Sequence, residues 1–265
     1  MDWSQIFNEY GFFTFFSLAA FAFMAGFVDA VIGGGGLIQL PALLINFPST
    51  PLPSLFGTTK IASLAGTSMA AAQYSRRIQF NYKLLLMIAA FAGGAAFTGA
   101  KVVSHINVQA LKPVILGILI VMAVYTYLKK DLGAVRAKKV APNKQYLFGA
   151  LLGTVVGFYD GFFGPGTGSF LVMGFVLLLG FEFVEASGYA KLINCITNVA
   201  ALFVFIRMGS YLLGIAILMS VCNIAGNFFG ARMAIKKGNG FIRIFFLLVV
   251  LMMIARYAYD IYTSP

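Results

Sequence analysis

Five stretches of this chain contain no Asp, Glu, Lys or Arg: residues 10–28, 84–100, 113–128, 161–181 and 208–231. Apolar stretches of about 17–25 residues are long enough to cross a bilayer as α-helices. Only 10% of all residues are charged, whereas soluble domains carry roughly 25%. A membrane β-barrel would need alternating polar and apolar residues, which the sequence lacks. The sequence therefore predicts an all-α polytopic membrane protein.

The chain also repeats itself. With a shift of 131 residues, AGFVDAVIGGGG at 25–36 aligns with VGFYDGFFGPGT at 156–167. The same shift aligns Lys60 with Lys191 and GAK at 99–101 with GAR at 230–232. Chance would scarcely bring these rare intramembrane charges into register. We predict two homologous transmembrane repeats, at 1–128 and 145–265, joined by a basic cytoplasmic linker at 129–144.

Each repeat is expected to hold about four transmembrane helices and one glycine-broken, re-entrant segment. In the first repeat the predicted helices cover about 12–32, 54–75, 83–104 and 111–128, with a short apolar segment at 37–47. The second repeat is predicted to have helices at about 145–163, 185–206, 210–233 and 241–262, with a short segment at 168–180.

Loop charges favour an inverted arrangement of the repeats. Basic residues cluster in 76–83, 129–144 and 232–243, and cytoplasmic loops are the ones enriched in Lys and Arg. Parallel repeats would place the third cluster outside the cell. Inverted repeats place all three clusters in the cytoplasm, with both termini outside. Inverted repeats with broken helices are common in secondary transporters, which bind substrate near the bilayer midplane.

Glycine runs interrupt the apolar sequence at matched positions, Gly33 and Gly35 in the first repeat and Gly164 and Gly166 in the second. Glycine permits backbone conformations that other residues disfavour, so each run predicts a break between two helices. The amides at the start of the following helix could bind an anion. The structural alternative is close helix packing through small residues.

Four charged residues are predicted to lie inside the membrane, Asp29 and Asp160 before the breaks and Lys60 and Lys191 after them. Intramembrane charges are costly and mark functional sites by default. The lysines could attract an anionic substrate, while the aspartates carry a proton or act as lysine counter-ions. Alternatively, two Asp–Lys pairs could be purely structural.

Polar side chains follow each lysine at helical spacing, Ser63 after Lys60 and Asn194 and Asn198 after Lys191. Positions i, i+3 and i+7 share one helix face. We predict that these hydroxyl and amide groups help to bind an oxyanion, although polar packing between helices is an equally simple role for the hydroxyls.

Catalytic and metal-binding motifs are missing from the sequence. It contains no HExxH, Walker or Ser/His/Asp pattern, and Cys195 and Cys222 lack metal-type spacing. We therefore predict a non-enzyme with no catalytic residues, no cofactor and no metal. The net charge of +11 comes mainly from basic residues in the short loops between the predicted spans. Such loop charges indicate membrane topology, so no nucleic-acid partner is expected.

The motif GF-[VY]-D-x(3)-G-x-G with a later G-x(2)-K in each half resembles the TauE/SafE family of membrane permeases. The second copy, GFYDGFFGPGTGSF continuing to ASGYAKLINCITNVAAL, is similar to the YfcA-like branch. The resemblance covers nearly the whole chain. It implies transport of sulfur-containing oxyanions across the bacterial inner membrane, and it carries the family motif onto Asp29, Gly33, Gly35 and Lys60 and onto Asp160, Gly164, Gly166 and Lys191.

The leading functional hypothesis is a multi-pass secondary transporter of a small anionic sulfur compound, such as sulfite or an organosulfonate. It would work by alternating access in the lipid bilayer, with or without proton coupling. A passive anion channel and a non-transporting membrane scaffold are the alternatives. The sequence leaves open whether the chain forms a homo-oligomer.

Overall fold

The computed structural model describes residues 3–105, 117 and 140–237. Among these residues there are eight α-helices and no β-strand. In chain order the helices are α1 (Trp3–Ile32), α2 (Gly36–Asn46), α3 (Leu52–Ser75), α4 (Tyr82–Val103), α5 (Pro142–Phe162), α6 (Thr167–Leu178), α7 (Phe183–Arg207) and α8 (Leu213–Lys237). The prediction of an all-helical chain is confirmed. The helices predicted at 111–128 and 241–262 and most of the linker lie outside the described residues.

The helix limits agree with the predicted ones within about three residues, except at the two ends of the described chain. Helix α1 begins at Trp3, ahead of the predicted start near residue 12, and its backbone leaves the helical conformation at Gly11 (φ 73°, ψ 153°). Helix α8 continues to Lys237, past the predicted end near residue 233. Helix α5 begins at Pro142, because proline suits the first turn of a helix, where its missing N–H is not needed.

Four helices in the described part of the chain are long and apolar enough to cross a membrane: Gly11–Val31, Tyr82–Val103, Phe183–Arg207 and Leu213–Met233. Helices α3 and α5 are also longer than 18 residues but less apolar. Helices α2 and α6 are short, with 11 and 12 residues, which is too few to cross about 30 Å of hydrocarbon as a helix.

Polarity is distributed in the opposite sense to that of a soluble protein. Phe13 and Val155 are 83% and 67% exposed, whereas the charged side chain of Lys191 is 1% exposed. Exposed large apolar residues mark a surface that contacts lipid or another protein, and buried charges are rare unless they are paired. Many large apolar side chains therefore face outward, as in a protein that contacts lipid, and four charged residues are buried: Asp29, Lys60, Asp160 and Lys191.

The helices pack most extensively in two pairs, α4 with α5 and α1 with α8. A Cβ atom on Gly161 of α5 would collide with the backbone of Ala96 on α4, and one on Gly26 of α1 would collide with Asn223 on α8. Glycine at these positions lets the two backbones approach closely, which is a common way to join helices in a membrane.

Helices α3 and α7 pack against each other at the centre and run in opposite directions. Phe56 near the start of α3 contacts Phe205 near the end of α7, with ring centroids 6.4 Å apart. Farther along α3, Ser68 Oγ lies 3.7 Å from Cys195 Sγ. Near the end of α3, Tyr74 lies beside Gly188, near the start of α7. These two helices carry Lys60 and Lys191, so their packing positions both lysines.

Candidate functional site

The backbone leaves the helical conformation at two places in the interior, between α1 and α2 and between α5 and α6. We call them the first break (residues 33–35) and the second break (residues 163–166). Gly33 in the first break has φ 86°, and Gly164 and Gly166 in the second have φ 93° and 85°. These left-handed values favour glycine over any residue with a side chain.

The two breaks touch each other. The backbone N–H of Ser169, at the start of α6, donates a hydrogen bond of 3.2 Å to the carbonyl of Gly33. A Cβ atom on Gly168 would lie 2.6 Å from Cα of Gly33, so no side chain fits between them. Contact through bare backbone brings the N-terminus of α6 beside the first break.

One ion pair links α3 to α5. Lys60 Nζ lies 2.7 Å from Asp160 Oδ2, and both side chains are buried. At this distance the ammonium and the carboxylate form a close ion pair inside the protein. A Cβ atom on Gly164 would lie 3.2 Å from Lys60 Nζ, which shows that the ammonium lies against the second break.

The other ion pair links α7 to α1. Lys191 Nζ lies 3.0 Å from Asp29 Oδ2 and also donates a hydrogen bond to the backbone carbonyl of Asp29. Thr67 Oγ1 donates to the same carboxylate oxygen at 3.1 Å. Since Asp29 lies in the last turn of α1, the ammonium neutralises both a carboxylate and the negative end of the helix dipole.

A cavity of about 30 Å³ lies where the two breaks, α3 and α7 meet. That volume is enough for roughly two water molecules. The first residues of α2 and α6 line it, together with side chains from α3, α5 and α7. The full lining consists of Asp29, Gly33, Gly36, Leu40, Phe56, Thr59, Lys60, Ser63, Asp160, Phe163, Gly164, Pro165, Gly166, Thr167, Gly168, Asn194 and Asn198.

Most residues that the sequence predicted for the site line this one cavity. They are Asp29, Gly33, Lys60, Ser63, Asp160, Gly164, Gly166, Asn194 and Asn198. Two others do not line it. Lys191 is directed to Asp29, and Gly35 lies against α1, where a Cβ atom would be 2.7 Å from the Asp29 Cβ.

Sequence reasoning missed the apolar part of the lining. Phe56 precedes Lys60 by four residues and Phe163 follows Asp160 by three, so each lies about one helical turn from a charged residue that had been singled out. That spacing was the available signal. It is weak in a chain with 28 phenylalanines, because phenylalanine is a common residue of apolar helices and its presence near a charge is not distinctive.

The polar part of the cavity is rich in hydrogen-bond donors. Lys60 supplies an ammonium, and Asn194 and Asn198 supply amides joined by a hydrogen bond of 3.4 Å. Ser63 donates to Gln39 Oε1 at 3.2 Å, and the N-termini of α2 and α6 add the positive ends of two helix dipoles. Such a set can bind an anion with several acceptor oxygens. Within the described ranges, no three His, Cys, Asp or Glu residues are grouped as metal ligands.

Comparison with known proteins gives one family for nearly the whole chain. Residues 18–257 match the family described as "Sulfite exporter TauE/SafE". No solved structure matches the chain.

Several curated proteins are similar over most of their length. A "probable membrane transporter protein ORF9" from a Sinorhizobium species is 38% identical over 251 residues, covering 92% of this chain and 94% of that protein. A probable membrane transporter protein from Haemophilus influenzae is 34% identical over 90% of this chain and 92% of its own length. The probable membrane transporter protein YfcA of Escherichia coli K12 is 32% identical, with coverages of 90% and 87%.

Proposed function

The chain belongs to the TauE/SafE family of membrane transporters, and from this premise we propose that it is a secondary transporter of a small sulfur-containing oxyanion. Sulfite and short organosulfonates are the proposed substrates, alternating access is the proposed mechanism, and the bacterial inner membrane is the proposed location. The family description names sulfite export, and the similar curated proteins are described only as probable membrane transporters.

One observation carries the proposal. Two helix N-termini, at Gly36 and Thr167, line the same buried cavity as the ammonium of Lys60. In a bilayer, backbone that leaves the helical conformation is tolerated where it lines a cavity or is buried in protein. The cavity combines the positive ends of two helix dipoles, the positive charge of Lys60 and amide donors, and these groups can replace the water around an oxyanion.

In the proposed mechanism an oxyanion competes with Asp160 for Lys60. The ammonium has a single described carboxylate partner, at 2.7 Å, so an anion in the cavity can take over that contact. Asn194, Asn198, Ser63 and the glycine-rich backbone at positions 33, 164 and 166 complete the proposed binding set. A cavity of about 30 Å³ must widen to hold an anion larger than a few atoms, which requires the breaks to move apart.

Asp160 and Asp29 are the proposed proton carriers if transport is proton-coupled. Both carboxylates line the cavity and would repel an anion unless they are paired with lysine or protonated. When the anion takes Lys60, Asp160 loses its counter-ion inside the membrane, and binding a proton would neutralise it. Substrate and proton would then move together.

We also propose that the two repeats are inverted. Helices α3 and α7 are equivalent under the 131-residue shift, and they pack antiparallel, as the contacts of Phe56 with Phe205 and of Ser68 with Cys195 indicate. Equivalent contacts also recur. The Leu212 N–H donates to Thr58 Oγ1, and the Asn81 N–H donates to the hydroxyl of Tyr189, which is the residue equivalent to Thr58. A C-terminal reporter fusion that is active only outside the cytoplasm is expected, and a cytoplasmic C-terminus would contradict the proposal.

The test of transport is flux into liposomes that contain the purified chain. We expect sulfite or methanesulfonate to accumulate against its own gradient when a pH or ion gradient is imposed. Lys60→Ala should lower the flux at least about thirtyfold, because removing one partner of a buried charge contact costs about 2 kcal/mol or more. Lys101→Ala is the matched control, since Lys101 is exposed and lies over the ring of Phe97.

Other outcomes of the same assay distinguish the alternatives. Flux that never exceeds equilibrium and follows the membrane voltage would indicate a channel. Absence of flux for every anion tested, in correctly folded protein, would indicate a scaffold. If the Asp160→Asn variant keeps its flux but no longer responds to a pH gradient, Asp160 is the proton carrier. Insensitivity of the unaltered protein to the gradient would exclude proton coupling.

A further inference from the structure

The cavity has an apolar wall as well as a polar one. Lys60, Asn194 and Asn198 lie on α3 and α7 around the polar part, whereas Phe56 and Phe163 line the cavity with rings that cannot donate to an oxyanion. Both phenylalanines are 3% exposed. A ligand that fills this space therefore meets hydrogen-bond donors with one part and aromatic carbon with another.

The two rings contact each other across separate elements of the fold. Phe56 belongs to α3, one turn before Lys60, and Phe163 is the first residue of the second break. Their ring centroids are 6.3 Å apart at an interplanar angle of 71°, an edge-to-face geometry that aromatic pairs favour. Movement of the break relative to α3 would separate them.

Side chains behind the rings hold them in place. The Phe205 ring lies 6.4 Å from Phe56, and the Tyr159 ring lies 5.9 Å from Phe163. Tyr159 also donates a hydrogen bond of 2.6 Å to the carbonyl of Pro165 inside the second break. Because the rings are backed in this way, they cannot simply turn aside for a longer ligand.

Comparison of the two repeats indicates that the aromatic pair is not needed to form a glycine break and a lysine helix. Under the 131-residue shift, Phe56 is equivalent to Ser187 and Phe163 to Ile32. The first repeat builds its break without an aromatic residue at position 32, and the second builds its lysine helix without one at position 187. A glycine break followed by a lysine helix thus does not require the aromatic pair.

We propose that Phe56 and Phe163 set the length of the anion that the site accepts. This inference rests on the proposed function and specifies it. The oxyanion group lies among Lys60, Asn194 and Asn198, and the rings limit how much carbon can extend from it. The site would accept an inorganic oxyanion or a sulfonate with a very short carbon chain and would discriminate against longer alkanesulfonates.

The test measures flux and binding along a series from methanesulfonate to hexanesulfonate. In the unaltered protein the flux should fall steeply with chain length. Phe56→Ala should raise the ratio of butanesulfonate flux to methanesulfonate flux at least about tenfold, since a single methylene in a fitted pocket already changes preference by about 10–200-fold. Phe203→Ala is the control, because Phe203 lies on α7 but is 50% exposed, and it should keep the original length profile.

A second variant tests whether a changed length profile in Phe56→Ala results from misfolding. Phe163→Leu keeps an apolar side chain but removes the ring, and it should shift the profile in the same direction. Binding can be compared without a transport assay, by measuring how much each alkanesulfonate raises the melting temperature of the protein in detergent. A folded Phe56→Ala or Phe163→Leu variant with an unchanged length profile would overturn the inference. If the unaltered protein neither moves nor binds any anion of the series or sulfite, the proposed function itself fails.

Discussion

The two Asp–Lys pairs have the same spacing in the sequence and different surroundings in the structure. The same number of residues separates Asp29 from Lys60 and Asp160 from Lys191, yet each lysine pairs with the aspartate of the other half. Lys191 bonds both the carboxylate and the backbone carbonyl of Asp29, and the Asp29 carboxylate also accepts a hydrogen bond from Thr67. Lys60 has one close contact, to Asp160, and lines the cavity.

We propose that the two lysines, which the 131-residue shift aligns, have separate roles. A lysine that caps a helix and is 1% exposed is well placed to hold the first break. A lysine with a single ionic contact beside a cavity is well placed to change partners. Both lysines remain in the proposed site, but we expect Lys60 to contact the substrate and Lys191 to support it through Asp29.

The two breaks also differ, both in backbone conformation and in the side chains that hold them. Gly35 has an ordinary right-handed helical conformation (φ −56°), whereas its equivalent Gly166 is left-handed (φ 85°). Tyr159 bonds the carbonyl of Pro165 in the second break, and the equivalent residue before the first break is Val28, which has no hydroxyl. The first break is therefore held by the lysine of the other half, and the second by a tyrosine of its own helix.

The largest expected effect is on stability after loss of Lys191. Lys191→Ala leaves the Asp29 carboxylate buried without its counter-ion, and breaking a buried pair costs about 3–5 kcal/mol. Lys60→Ala should cost less, because Lys60 has one described contact, to Asp160, whereas Lys191 also bonds the backbone carbonyl of Asp29 near the end of α1. Thermal unfolding of both variants in detergent makes the comparison, with Lys101→Ala as control. Equal losses for the two lysines would contradict the division of roles.

Much of the fold could be predicted because lipid imposes strong rules on sequence. The predicted helix limits agree with the structure within about three residues, except at the start of α1 and the end of α8, and the family prediction is confirmed. The number of membrane-spanning helices is harder to predict from the sequence. Helix α3 carries Lys60 and Ser63 and α5 carries Asp160, and both helices are less apolar than the four candidate spans. Helices α1 and α7 meet the criteria for a span although they carry Asp29 and Lys191.

The contents of the site could be predicted only in part. Charges and glycines are conspicuous in an apolar sequence, so Lys60, Asp160 and Gly164 were found without the fold. Which aspartate meets which lysine depends on the packing of α3 against α7, and no local pattern encodes it. Phe56 and Phe163 are chemically like the phenylalanines that face outward, so only their position in space distinguishes them.

A smaller effect is expected where the two breaks touch. Gly168→Ala would place a Cβ 2.6 Å from Gly33 Cα and force the breaks apart, and such overpacking typically costs about 1–3 kcal/mol. The 131-residue shift aligns Gly168 with Leu37, which already carries a large side chain, so we expect sensitivity to added volume at Gly168 and not at position 37. Gly94→Ala is the control, since nothing lies within 4 Å of a Cβ there. Normal stability and normal flux in Gly168→Ala would show that the contact between the breaks is dispensable.

The smallest effect should come from the hydroxyl that distinguishes the Lys191 pair. Thr67→Val removes the hydrogen bond of 3.1 Å to Asp29 with little change of shape, and single hydrogen bonds between membrane helices contribute about 0.6 kcal/mol on average. Thr98→Val is the control, because Thr98 is exposed and bonds only its own helix at Ala95.

If Asp29 is a fixed counter-ion, Thr67→Val should lower the melting temperature slightly and leave the pH dependence of flux unchanged. If Asp29 is a proton carrier, the same substitution should change that pH dependence, because it removes a contact of the carboxylate that takes up the proton. The variant thus separates the two roles of Asp29 with a change too small to disrupt the fold.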